Sequence, residues 1–158
     1  MRLPSMLVSL LAVSSMPLVL RAQVSLVVYA GGSHSGTFCD PQSCVPSRVM
    51  TPAIYPLFQI QTIGAPFQPT IMLVALPPHQ CFTLPGFAGS LMLQPPADAV
   101  LINPTWGHMY GWPCASWIGF QSVALPAGLP SSFRFLVQLL APAPAGWTFS
   151  NTVSVTVV

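Results

Sequence analysis

Apolar and polar positions alternate along this chain in short runs, and proline or glycine ends nearly every run. Gln23 to Ala30, with Val24, Leu26, Val27 and Val28, has the β-branched richness of a strand and stops at Gly31 and Gly32. Residues 33–47 are polar and punctuated by Pro41 and Pro46, which predicts a loop without regular structure. Leu57 to Ile63 alternates with the period of a strand wetted on one face, Gly64 to Pro69 turns the chain, and Thr70 to Leu76 returns as an apolar run. The two are expected to pair as a hairpin that ends at Pro77 and Pro78.

Ser90 to Gln94 and Ala99 to Ile102 are short strand candidates separated by Pro95 and Pro96. An aromatic loop follows from Pro104 through Trp117. Phe120 to Leu125 and Phe133 to Leu140 are further strands, joined by Pro126 to Ser132. Residues 141–147 read as a proline-containing loop, and Ser150 and Asn151 as a turn. In the last strand, Thr152 to Val158, Val153, Val155 and Val157 alternate with Ser154 and Thr156, which predicts one buried face and one wet face. Short strands at regular spacing predict an all-β fold, a single antiparallel β-sandwich domain.

The start of the chain changes the picture. Arg2 is followed by an apolar stretch from Leu3 to Leu20 that ends at Ala22, the anatomy of a signal peptide over 1–22, with the β-sandwich domain at 23–158. Cleavage after Ala30 is the alternative. Pro4 and Pro17 interrupt the stretch as a membrane anchor, and no later segment offers a second span. The expected localisation is secreted or cell envelope.

Only 4% of the 158 residues are charged, and 19 are proline, which leaves no room for long helices. The whole chain carries a formal charge of +2, and losing Arg2 and Arg21 brings it to zero, with Asp40, Arg48, Asp98 and Arg134 remaining. A neutral chain without lysine argues against nucleic acid or anionic lipid as a partner. The four cysteines, Cys39, Cys44, Cys81 and Cys114, suit two disulfides in an oxidising compartment. Three connectivities are open. Loop lengths favour Cys39 with Cys44 and Cys81 with Cys114.

Two segments, Ile60 to Leu76 (IQTIGAPFQPTIMLVAL) and Val123 to Val158 (VALPAGLPSSFRFLVQLL, later AGWTFSNTVSVTVV), carry a resemblance. They are similar to uncharacterised secreted β-sandwich proteins of environmental bacteria, with an N-terminal signal peptide and a C-terminal Ser-Asn plus β-strand signature. This chain has Ser90 where the family tends to place a cysteine, with Cys81 earlier. The resemblance implies fold and export, and brings no activity with it.

Candidate chemistry is sparse. Asp40 stands before Pro41 and Asp98 follows Pro95 and Pro96, and both read as turn caps rather than an acid–base pair. Gly32-Ser33-His34-Ser35-Gly36 has histidine where a hydrolase elbow needs serine. His34, Cys39 and Cys44 fit no common zinc spacing, and His79 and His108 stand alone, so neither metal nor cofactor is expected. Trp106, Tyr110, Trp112 and Trp117, interleaved with glycine, would serve either as packing pieces or as a ligand surface. The expected function is an exported, non-catalytic structural or interaction module of the cell envelope or extracellular matrix, with self-association or envelope proteins as partners. The alternative is a small carbohydrate-binding module in which segment 106–117 holds a glycan.

Overall fold

The computed structural model describes residues 25–30, 32–36, 44–52, 57–63, 69–108, 117–126, 128–143 and 146–158. The expected signal peptide at 1–22 lies outside them. Among the described residues there is no helix, and hence none long and apolar enough to cross a membrane.

The strands in chain order are β1 (Ser25–Ala30), β2 (Ser33–Gly36), β3 (Ser47–Thr51), β4 (Leu57–Ile63), β5 (Thr70–Ala75) and β6 (His79–Phe82). They continue with β7 (Phe87–Ala88), β8 (Leu91–Leu93), β9 (Ala97–Ile102), β10 (Thr105–His108), β11 (Trp117–Ala124), β12 (Arg134–Ala143) and β13 (Gly146–Val157). One sheet has the order β10-β11-β4-β1-β2, the other β3-β13-β12-β5-β9, and β6 pairs with β8. Most pairings are antiparallel as expected, but β3 and β7 each join β13 in parallel.

The core is shared between the two large sheets. Leu26 and Val28 of β1 and Ile60 of β4 cluster with Met72, Phe135, Val137, Leu139, Val153 and Val155 from the second sheet. On the far face of that second sheet, Leu136 and Ala75 meet Leu91 and Leu93 of the small hairpin, which forms a third layer. The valines of β13 are buried as expected. Ser154 on its other face is buried too, because that face is partly covered rather than wet.

Several expectations are corrected. Leu57–Ile63 and Thr70–Ala75 do not form a hairpin: β4 pairs with β1 and β11, whereas β5 pairs with β12 and β9, so the connection crosses between sheets. Both strands carry apolar runs that any neighbour would satisfy, and a loop of this length serves a crossover as readily as a hairpin. The supposed loop after Gly32 contains β2, because Gly32 adopts φ 80° and lets Ala30 pair with Ser33 across two residues. Gly36 has φ 135°, and a Cβ there would run into the Leu26 carbonyl. The supposed loop at 141–147 is a tight hairpin in which Pro142 of β12 pairs with Trp147 of β13. Proline is tolerated because β5 flanks β12 only as far as Leu140, and among the described residues no strand on that side needs its missing donor.

The Ser-Asn pair is not a turn either. Gln138 pairs with Thr152 and Leu140 with Phe149, so Ser150 and Asn151 together oppose Leu139 in a β-bulge. Ser150 Oγ accepts the Leu139 N–H at 2.9 Å, which satisfies the donor that the bulge would orphan. The bulge also aims two amides at opposite faces of the sheet. Asn151 accepts the Leu26 N–H and donates to the Leu26 carbonyl, both at 2.8 Å, on a residue that lies just past the last β2 pairing. Gln138 accepts the Met92 N–H at 3.0 Å and donates to the carbonyls of Ser90 at 2.7 Å and Ser150 at 2.8 Å. Asn151 thus locks the two large sheets together, and Gln138 locks the covering hairpin down.

Candidate functional site

The groups with chemistry are spread over the fold. His34 lies on β2 with its ring 5.4 Å from that of Tyr29, and His79 lies on β6. Asp98 does not cap a turn: it pairs with Val74 inside β9. Asp40 lies outside the described residues. Cys44 is bonded to Cys81 across 37 residues, which overturns the expected pairs Cys39–Cys44 and Cys81–Cys114. The bridge ties the segment before β3 to β6 and so fastens the third layer to the sheet it covers, a long-range link that loop length could not reveal. It also takes Cys44 out of any zinc set, and among the described residues no three metal-binding groups converge.

Cys39 and Cys114 lie outside the described residues. With Cys44–Cys81 formed, a second intrachain bridge can only join Cys39 to Cys114. Non-reducing peptide mapping is expected to recover Cys44–Cys81 and Cys39–Cys114 peptides. Recovery of a Cys39–Cys44 peptide would refute this connectivity.

Of the four aromatic candidates, Tyr110 and Trp112 lie outside the described residues. The backbone brings the other two into one hairpin, where Trp106 pairs with Gly119 and His108 with Trp117. Trp117 is half-buried and shares its face of β11 with Val123, which packs against the core.

An apolar cleft lies where the sequence pointed to nothing. β10 pairs with β11 only from Trp117 through Phe120, so Gln121–Ala124 have β4 on one side and no strand on the other among the described residues. In the second sheet β9 is the last strand and, among the described residues, pairs only with β5. Between these two open edges the sheets part to leave a cleft of about 510 Å³, walled by Met72, Val74, Val123, Leu125, Phe133 and Phe135. Asp98 is its one charged residue.

The alternation of β9 sets how this cleft opens. Asp98, Val100 and Ile102 share the inner face; Ile102 is buried, whereas Val100 is 45% exposed and Asp98 lies in solvent. Leu101 on the outer face is 70% exposed, and Leu76 at the end of β5 is 59% exposed. Leu76 and Pro96 belong both to the cleft and to an adjoining hollow of about 260 Å³ walled by Pro77, Pro78 and Pro95. Together they form an apolar flank that runs from the core to the surface. The run Ala99 to Ile102 reads in sequence only as a short strand candidate, and its place at the sheet edge makes it a surface.

No protein-family model matches the chain, and no curated protein matches its sequence.

Proposed function

We propose that the chain is an exported β-sandwich domain, residues 23–158 following a signal peptide at 1–22, that acts as a non-catalytic structural or interaction module of the cell envelope or extracellular matrix. The resemblance to secreted proteins of environmental bacteria is part of this reading. The observation that carries it is the apolar flank: a six-residue strand that, among the described residues, is paired on one side only, with Val100 and Leu101 exposed, beside an open apolar cleft. Contiguous apolar surface of this kind marks contact sites, and an edge strand with a single charge lacks the usual protection against pairing. The Cys44–Cys81 bridge suits an oxidising compartment.

The test is recovery of the protein from its native cells. It is expected in the envelope or matrix fraction, starting at Gln23, retained in high salt and released by mild detergent. Retention that salt or free sugars reverse would favour the carbohydrate-binding alternative, and an intact Met1 on membrane-bound protein would contradict export with cleavage.

A further inference from the structure

We propose that the chain carries a binding site for a tetrahedral oxyanion, a sulfate or phosphate group, on the outer face of the second sheet. This site is separate from the apolar flank and does not depend on the function proposed above. The chain has four cationic side chains, all arginine: Arg2 and Arg21 near its start, and Arg48 and Arg134 within the fold. The last two, 86 positions apart, line the same pocket, of about 100 Å³.

The register explains why they meet. Val49 and Phe135 point into the core, so Arg48 on β3 and Arg134 on β12 project from the opposite face. β13 runs between them, pairing Ser154 with Arg48 and Thr156 with Arg134. The Ser154 hydroxyl therefore sits between the two arginine strands, and Ser154 also lines the pocket. The opposite wall is Val45 and Pro46 with Pro77 and His79 from the covering layer. The Cys44–Cys81 bridge joins those two segments directly, so the pocket is framed covalently.

Arg48 and Arg134 both line this hollow, so an anion seated in it would meet positive charge from two strands. Among the described residues no hydrogen bond or carboxylate is shown on either arginine, and Asp98, the one acidic side chain among them, lies in the cleft by β9. Arginine presents paired N–H groups in a plane that matches two oxygens of a sulfate or phosphate, and a nearby hydroxyl supplies a further donor. The small volume fits one such group, whether free or carried on a polymer.

The test is an NMR titration of the oxidised protein, following the arginine Nε–Hε signals, with sodium sulfate and sodium phosphate against sodium chloride at constant ionic strength. Dextran sulfate against plain dextran separates a polymer-borne group from a free ion. Saturable shifts of the Arg48 and Arg134 signals with sulfate or phosphate are expected, and Arg48→Gln or Arg134→Gln should weaken binding by about tenfold or more. Arg48→Lys should restore only part of it. Both side chains are exposed, so the melting temperatures of these variants should match the parent. Tighter binding of dextran sulfate through the same two signals would support the site and identify the polymer as its source. Arg48 and Arg134 signal shifts that match those in chloride, or saturable backbone amide shifts at Ser154 that persist in the Arg48→Gln/Arg134→Gln double variant, would overturn the proposal.

Discussion

A chain ending at Gly146 is expected to be insoluble, or to lack a cooperative thermal transition. The missing residues are the body of β13, which lies between β12 and β3 inside the second sheet. They supply Val153, Val155 and Val157 to the core and the Asn151 amide that reaches β1. β3 and β7 pair with β13 by parallel ladders, so both lose their place in that sheet with it. β12 would then present a long apolar edge, the kind that drives aggregation. Near-ultraviolet circular dichroism through a thermal ramp is the measurement. A soluble product melting cooperatively near the temperature of the whole chain would refute the central position of β13.

Asn151→Ala should destabilise the protein by about 3–5 kcal/mol, because it strands a buried donor and a buried acceptor on Leu26, each costing about 1–3 kcal/mol unpaired. That is a large share of the roughly 5–15 kcal/mol that holds a domain folded. The melting temperature should fall by roughly 10–15 °C. Gln138→Ala should act similarly but loosen the covering hairpin first, since its partners Met92 and Ser90 lie at β8 rather than in the facing sheet. Asn151→Asp keeps the shape yet sets a carboxylate oxygen against the Leu26 carbonyl. Its deficit should shrink as the pH falls and the carboxyl regains a proton to donate. Urea melts of the three variants are the check, and a loss below about 1 kcal/mol for Asn151→Ala would show that the two sheets do not depend on this amide.

How far the fold was legible depended on whether local pattern or long-range pairing decided each element. Leu57–Ile63, Thr70–Ala75 and the valines of β13 were readable, because strand alternation and proline punctuation are local signals. Their partners were not: the same apolar run at 70–75 satisfies β4 or β12 equally well, and only the assembled core selects one. Ser150 and Asn151 looked like a turn because these residues favour turns, yet a bulge uses the same local hydrogen bonding inside a sheet. The apolar flank was hidden for the opposite reason. Val100 and Leu101 have the composition of a core strand, and nothing local marks a strand as the last in its sheet. Likewise, nothing in the sequence links Arg48 with Arg134, and their shared pocket exists because β13 pairs with both of their strands.

The claim that the flank along β9 is the interaction surface is tested most directly by retention of purified protein on isolated cell envelopes, comparing the parent chain with Leu101→Lys and with a Tyr110→Ala/Trp112→Ala variant. Leu101 is exposed, so the lysine should leave the melting temperature unchanged while placing a charge on the open edge. The account predicts that Leu101→Lys lowers retention by about tenfold or more while the aromatic variant binds like the parent. Unchanged retention for Leu101→Lys together with loss in the aromatic variant would contradict it.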